Sequence, residues 1–255
     1  MAAYPNLEGQ VAVVTGGAGG DSGLGLTATE ALLRAGARVS VWDPNTAAAK
    51  RASEDLAAQG LEALFLPVDV TDAKAVADAY DEVKAKLGPV DTLLNNAAVK
   101  MEFLLGPKSS RPEGTLPFWQ LDAQRFLRLL QVNVLGAFHT ASAIAPDMVA
   151  RGKGSIINVV TSPHTQRSPK HIPYGPSKAA LQAMTQAMAA QLKGSGVRAN
   201  AVLPGGSANR RGETKAHMSP SDCMVAPILW LACERSKDTS GEVFTGTEFR
   251  LENHV

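Results

Sequence analysis

A tyrosine and a lysine four residues apart stand at the start of a predicted helix. Tyr174 and Lys178 belong to the segment Tyr-Gly-Pro-Ser-Lys, and apolar residues follow it at helical spacing. Residues at positions i and i+4 share one helical face. An ammonium group beside a phenol favours the phenolate and lowers its pKa. Tyr174 is therefore a candidate general acid and base for a carbonyl and alcohol pair, although by spacing alone the two residues could equally form a surface pair.

A cluster of glycines follows the first apolar run of the chain. Residues 16–25 read Gly-Gly-Ala-Gly-Gly-Asp-Ser-Gly-Leu-Gly, between a predicted strand at 11–15 and a predicted helix at 25–35. Glycines there permit a tight turn and a close approach of backbone N–H groups to a pyrophosphate, which the helix N-terminus also favours. An ordinary glycine-rich loop is the alternative. The dinucleotide contacts predicted in this turn are Gly16, Ser22, Gly23, Leu24 and Gly25.

A carboxylate ends the second predicted strand. Asp43 follows Gly25 by 18 residues, at a position where a carboxylate accepts hydrogen bonds from both ribose hydroxyls of NAD and repels a 2′-phosphate. The glycine cluster holds no Arg or Lys that would attract that phosphate. The pattern predicts NAD as the cofactor. The alternative is that Asp43 caps the helix that follows Pro44.

The elements that must position these residues alternate between short apolar runs and longer helical stretches. Repeated β-α-β units with right-handed crossovers predict an α/β fold with a doubly wound parallel sheet and helices on both faces. No linker or internal repeat divides the chain, so we expect one domain over residues 1–255. The seven predicted strands are residues 11–15, 39–42, 64–70, 90–94, 155–160, 197–203 and 242–251.

Charge and cysteine content exclude several classes of protein. The chain has 25 Lys and Arg against 24 Asp and Glu, which argues against a nucleic-acid partner. Cys223 and Cys233 lie ten residues apart without a CxxC motif, so neither a zinc site nor a disulfide framework is predicted. The sequence shows no signal peptide and no apolar run of about 20 residues. We therefore expect no metal, no membrane partner and a cytoplasmic location.

Taken together, the motifs resemble those of the short-chain dehydrogenase/reductase family over the whole chain. The resemblance implies a single Rossmann-type domain with a nicotinamide cofactor, an Asn-Ser-Tyr-Lys catalytic set, and a homotetramer or homodimer. The motifs, in family order, are the glycine turn, Asp69-Val70, Asn-Asn-Ala-Ala at 95–98, Asn133, Ser-Ile-Ile-Asn-Val at 155–159, Tyr174 with Lys178, and Pro204-Gly205.

The resemblance also implies roles for individual residues. Tyr174 would transfer the proton, Lys178 would hold the nicotinamide ribose, and Asn133 would hold a proton-relay water. The remaining cofactor contacts would be Asp69 and Val70 at the adenine, Asn96 on the adenosine side, and Ser207 after the Pro-Gly pair. The alternatives are that Asn133 satisfies helix backbone, that Asp69 caps the next helix, and that the neighbouring Asn95 is structural.

The catalytic hydroxyl is assigned by counting. The family places a Ser thirteen residues before the Tyr and three after the Asn of the fifth strand. Counting from Tyr174 and from Asn158 gives Thr161 in both cases, with Ser162 as the next residue. Successive strand residues point to opposite faces, so only one of the two hydroxyls is expected to reach a substrate. The register favours Thr161, and a strand ended early by Pro163 would present Ser162.

The chain departs from the family pattern in three places. The glycine turn carries three extra residues, and residues 101–121 form an insertion rich in Pro and Gly. The loop after Pro204-Gly205 is short. We expect the insertion to supply part of the substrate cover, with a surface or subunit-contact loop as the alternative.

The sequence thus predicts an NAD-dependent oxidoreductase that interconverts a secondary alcohol and a ketone. A hydrophobic substrate is suggested by residues 225–234, which are similar to the end of hydroxyacyl-CoA dehydrogenase domains. One alternative is a catalytically silent NAD(H)-binding sensor or scaffold. A weaker alternative is a divergent enoyl reductase. Those enzymes share a split glycine turn, but they space the catalytic Tyr and Lys more widely than the pair in this chain.

Overall fold

Seven parallel strands form one sheet in the described part of the chain. The structure is a computed structural model that describes residues 5–18, 23–101, 117–204 and 222–250. The strands are β1 Val11–Thr15, β2 Arg38–Trp42, β3 Leu64–Leu66, β4 Thr92–Asn95, β5 Gly154–Val159, β6 Val197–Leu203 and β7 Val243–Thr245. Their order is β3-β2-β1-β4-β5-β6-β7, and every neighbouring pair is parallel. The prediction of a doubly wound α/β sheet is confirmed.

Helices connect the strands and cover both faces of the sheet. Within the described ranges, none of them combines the length and the apolar character needed to cross a membrane. A π-helical segment, Gln131–Gly136, joins α4 to α5 without a break. The helices are α1 Leu24–Arg34, α2 Thr46–Ala57, α3 Ala73–Lys86, α4 Ala123–Leu130, α5 Ala137–Arg151, α6 Pro163–Arg167, α7 Tyr174–Gln191 and α8 Val225–Ala232.

The core lies in two layers, one on each side of the sheet. Along β1, Val11 and Val13 belong to the cluster that includes residues of α3 and α5, whereas Ala12 and Val14 belong to the cluster that includes residues of α1 and α8. Alternate residues of a strand point to opposite faces. A strand that is apolar at every position is therefore buried on both sides, which is why these runs show no polar alternation.

Two predicted strands are several residues longer than the observed ones. β3 ends at Leu66 because the chain turns away there, with Val68 N–H donating to Leu66 C=O at 3.0 Å. β7 covers only three residues, and Phe249 N–H donates to Thr245 C=O in a turn that ends it. Apolar residues beyond both ends stay buried without pairing, and hydropathy alone does not separate burial from strand pairing.

Candidate active site

The strand order creates a crevice at the carboxyl ends of β1 and β4. β1 pairs with β2 on one side and with β4 on the other. The connections from β1 to β3 therefore run to one side of β1, and the chain then crosses to the other side at β4. Open α/β sheets bind ligands at such a switch point. The glycine turn follows β1, and Asn95 and Asn96 stand at the end of β4.

The glycine turn packs too closely for side chains. Gly16 has a φ of 64°, and a Cβ there would lie 2.8 Å from Ala97 Cα. A Cβ on Gly25, at the start of α1, would lie 2.4 Å from Gly16 O. Helix α1 therefore approaches the end of β1 as only glycine permits. Its N-cap residue is Gly23, which has no side chain to occupy the first helical N–H groups, and such groups bind phosphate.

Asp43 faces the glycine turn. Its Oδ2 accepts a hydrogen bond from Ala18 N–H at 3.2 Å, and its Oδ1 accepts one from Asn45 N–H at 2.9 Å. The N-cap of α2 is Asn45, whose side chain accepts from Ala48 N–H. The alternative role of Asp43 as that cap is wrong, because the N-cap lies two residues further along the chain.

The two asparagines at the end of β4 hold the framework of the site. The Asn96 amide donates to Thr15 O at 3.1 Å and to Gly16 O at 2.9 Å, and so fastens β4 to the glycine turn. Asn95 is buried and donates to Asn158 Oδ1 at 2.9 Å, which links β4 to β5. Asn95 thus has the structural contacts that its alternative reading described.

Tyr174 and Lys178 occupy the first turn of α7, as the sequence predicts. Tyr174 is half-buried, while Lys178 is only 1% exposed. Lys178 Nζ donates to the carbonyl of Val159, the last residue of β5, at 2.8 Å. Burial lowers the pKa of Lys178 to about 8. The ammonium form still predominates at neutral pH, so Lys178 carries a positive charge at this place in α7.

The depressed pKa predicts how stability depends on pH. Because the folded pKa of Lys178 is about 8 and its ordinary value is 10.5, the unfolded chain binds more protons between these values, and stability rises with pH across that window. We expect the unfolding free energy of the wild type to rise relative to that of Lys178→Met from pH 7 to pH 10, by on the order of 3 kcal/mol. Urea unfolding of both proteins at the two pH values measures this. A difference in unfolding free energy between the two proteins that is constant with pH would contradict a pKa of about 8 for Lys178.

Asn133 lies in the π-helical segment and fastens three parts of the site. Its amide donates to Val99 O at 3.0 Å and to Ser177 Oγ at 3.1 Å, and its Oδ1 accepts from Val99 N–H at 2.7 Å. Ser177 Oγ in turn donates to Tyr174 O at 2.7 Å. The side chain therefore supports the segment after β4 and the first turn of α7. π-Helical turns are frequent at functional sites.

The two candidate hydroxyls have different surroundings. Ser162 is the N-cap of α6: its Oγ accepts from Thr165 N–H at 3.2 Å and lies 3.1 Å from Thr165 Oγ1. Thr161 is half-buried, and its carbonyl accepts from the Gln166 amide at 2.9 Å. Ser162 is thus occupied by a local capping role.

The Asp69 carboxylate is held by an arginine that the sequence reading missed. Arg128 Nη2 donates to Asp69 Oδ2 at 2.6 Å, across 59 residues of sequence. Burial acts to raise the pKa of Asp69, but hydrogen bonds from Arg128 and Thr71 outweigh it, and the pKa lies below its ordinary value. The N-cap of α3 is Asp72, so the alternative role of Asp69 as that cap is wrong. No sequence pattern near Arg128 predicts this contact.

Several predicted features lie outside the described residues. These are Ser22 and Ser207, most of the insertion at 101–121, and the loop after Pro204. The end of the insertion is described: Phe118 and Trp119 are 65% and 72% exposed, with their ring centroids 5.1 Å apart.

Comparison with known proteins decides the family. Residues 10–218 match a family model described as short chain dehydrogenase. The chain belongs to this family. The resemblance drawn from the motifs is confirmed, and with it the Rossmann-type fold and a nicotinamide cofactor.

Relatives in the family differ in substrate and in cofactor. A 2-dehydro-3-deoxy-L-rhamnonate dehydrogenase (NAD(+)) from Sphingomonas sp. (strain SKA58) is 32% identical over 196 residues, which cover 77% of this chain and 71% of that protein. A fluoren-9-ol dehydrogenase from Terrabacter sp. (strain DBF63) is 35% identical over 210 residues, covering 78% and 56%. The chain therefore spans less than two thirds of the length of some curated relatives that it matches.

A solved structure in the family carries the other nicotinamide cofactor. A gluconate 5-dehydrogenase from Burkholderia cenocepacia J2315, in complex with NADP and tartrate, superposes with a TM-score of 0.76 at 27% identity. The match covers 94% of this chain and 95% of that one. Membership in the family leaves the choice between NAD and NADP to the residues of the individual chain.

Proposed function

We propose that the protein is an NAD-dependent oxidoreductase that interconverts a secondary alcohol and a ketone, with Tyr174 as the group that moves the proton. The observation that carries the proposal is the buried Lys178 one helical turn after Tyr174, anchored to the end of β5. No carboxylate of the described residues pairs with Lys178, and a buried ammonium without such a partner is costly. Buried charges of this kind are frequent at functional sites, and Tyr174 lies one helical turn before Lys178.

The residues at the switch point fit a dinucleotide. The cradle at Gly16 and Gly25 excludes side chains, and the start of α1 offers N–H groups to a pyrophosphate. The Asp43 carboxylate has spare lone pairs beside this turn. When bound, the cofactor supplies the carbon that accepts or donates a hydride. We propose that it is held by Gly16, Ser22, Gly23, Leu24, Gly25, Asp43, Asp69, Val70, Asn96, Tyr174, Lys178 and Ser207.

The proton path uses this chain's own groups. During alcohol oxidation the Tyr174 phenolate accepts the hydroxyl proton, and during ketone reduction the phenol returns it. The Thr161 hydroxyl holds the substrate oxygen, and the Lys178 ammonium stabilises the phenolate. The Asn133 side chain is bonded to Val99 and to Ser177, and we propose that Asn133 also holds the relay water.

A hydrophobic substrate remains a prediction. The helix that suggested it, α8, is buried in the core against α1, so its apolar residues serve packing. The relatives are named for a sugar acid and for a polycyclic alcohol, and both classes belong in a substrate panel.

We also propose that residues 1–255 form one domain, and that the protein is a homodimer or homotetramer. The exposed apolar side chains of Leu127, Leu135 and Phe138 support such an assembly.

One experiment separates the enzyme from a silent NAD(H)-binding sensor. NADH binding is measured by fluorescence, and turnover is measured with a panel of secondary alcohols, polyols and sugar acids in the presence of NAD or NADP. The proposal expects binding together with alcohol-dependent reduction of NAD. Tight NADH binding without turnover on any secondary alcohol, polyol or sugar acid of the panel would favour the sensor.

Cofactor choice is expected to depend on Asp43. In Asp43→Ser, the ratio of kcat/KM for NAD to that for NADP should fall steeply, because the carboxylate that accepts from the ribose hydroxyls and repels a 2′-phosphate is lost. Steady-state kinetics with both cofactors measure the ratio. Asp55→Ser is the matched control, since Asp55 is exposed on α2 and should leave the ratio unchanged. A wild type that uses NADP as well as NAD would contradict the prediction.

A further inference from the structure

The turn after β3 is held at three points by one continuous helical unit. The unit runs from α4 through the π-helical segment into α5. Arg128 donates to both Asp69 and Thr71. A Cβ on Gly136 would lie 2.5 Å from Val70 Cγ2, so the helix and the turn meet at van der Waals contact. His139 Nδ1 lies 3.0 Å from Val70 O.

The arginine fits its two partners with separate nitrogens. Nη1 donates to Thr71 Oγ1 at 2.7 Å, while Nη2 donates to Asp69 Oδ2 at 2.6 Å. Thr71 completes the arrangement, because its N–H and its Oγ1 both donate to Asp69 Oδ1, at 3.0 Å and 2.8 Å. The planar guanidinium fork fixes an orientation that a flexible lysine ammonium would not.

Counting acceptors leaves the carboxylate with spare capacity. An ionised carboxylate has about four lone-pair sites. The described residues fill three of these sites: Thr71 fills two on Oδ1, and Arg128 fills one on Oδ2. The remaining site is on Oδ2, and its direction is set by the other three bonds. The Asp69 side chain is 39% exposed, so an external donor can reach it.

We propose that Arg128 is a positioning residue for the cofactor, which aims the free lone pair of Asp69 Oδ2 at the exocyclic amino group of the adenine. The inference rests on the proposed function, since the adenine is placed near Asp69 only by family resemblance. It adds a residue that makes no contact with the cofactor itself. The same helical unit carries Asn133, so one rigid element spans the adenine end and the catalytic end of the site.

The charges around Asp69 allow a test by pH. Arg128 from α4 and His139 from α5 face the turn, and Asp72 lies in the turn itself. Burial acts to raise the pKa of Asp69, but the hydrogen bonds from Arg128 and Thr71 lower it below its ordinary value. The carboxylate therefore stays ionised to a lower pH than an ordinary Asp. Removing Arg128 should therefore raise the pH at which the acceptor becomes protonated.

The experiment measures NADH dissociation constants by fluorescence from pH 8 down to about pH 4, close to the ordinary Asp pKa of 3.8. The variants are Arg128→Met and the matched control Arg125→Met, on the same helix at an exposed position. Arg128→Met should weaken NADH binding about tenfold, as expected for one misdirected hydrogen bond. Its affinity should also start to fall at higher pH than in the wild type. Arg128→Lys should recover part of the affinity, and Arg125→Met should match the wild type.

A double-mutant cycle with Asp69→Asn removes the titrating group. In that background Arg128→Met should add little further loss, and the pH dependence assigned to Asp69 should disappear. If Arg128→Met leaves both the dissociation constant and its pH profile unchanged, or if its loss is equally large in Asp69→Asn, the inference is wrong. A wild type that binds neither NADH nor NADPH would instead overturn the proposed function, and the inference with it.

Discussion

Replacing Tyr174 with Phe is expected to lower kcat by about 10²–10⁴-fold, the scale of general acid–base catalysis. The substitution removes only the hydroxyl that transfers the proton, and the backbone of Tyr174 keeps its bond to Ser177. The dissociation constant for NADH should therefore change little. Stopped-flow turnover and fluorescence titration measure the two quantities separately.

Tyr80→Phe is the matched control. Tyr80 is buried between α3 and α5, and its hydroxyl donates to Asp147 at 2.8 Å. Neither residue is among the predicted catalytic residues. This variant should lose some stability and keep its kcat. A Tyr174→Phe enzyme with near-normal turnover would show that another group moves the proton.

Thr161→Val is expected to lower kcat by about 10²–10³-fold, because it removes a preorganised donor to the oxygen that gains charge in the transition state. Valine keeps the shape of threonine, so packing around the end of β5 should persist. Ser162→Ala should affect kcat much less, since the Ser162 hydroxyl serves as the N-cap of α6. Kinetics of the two variants with the same alcohol and cofactor make the comparison.

The two variants also differ in their expected stability. Loss of an N-cap side chain costs about 1 kcal/mol, so Ser162→Ala should unfold at a lower urea concentration than Thr161→Val. An inactive Ser162→Ala enzyme beside a normally active Thr161→Val enzyme would transfer the catalytic role to Ser162.

Much of the fold follows from the sequence because its signals are local. The continuous apolar run in β1 and the single-residue N-cap Asp72 identify their elements without reference to the rest of the chain. The end of β3 does not, because pairing stops at Leu66 although Val68 and Val70 stay buried. Where a strand ends depends on its neighbours, which hydropathy does not report.

The residues of the candidate site also differ in whether a local sequence pattern predicts them. Tyr174 and Lys178 are visible because one helical turn joins them. Arg128 is invisible because its partner, Asp69, is 59 residues away and the two meet only when α4 packs beside the sheet. The role of Ser162 as a cap depends on a short helix, α6, that begins at a proline and leaves little trace in the pattern of apolar residues.

Transfer of a hydride from the substrate is the central claim, and isotope labelling tests it most directly. The enzyme is given NAD and a secondary alcohol from the panel that carries deuterium on its carbinol carbon, and the reduced cofactor is analysed by mass spectrometry. The account predicts that one deuterium appears in the cofactor for each ketone formed, and that Tyr174→Phe slows this transfer without changing where the label goes. Ketone formed without label in the cofactor, or NADH bound without any transfer, would contradict it.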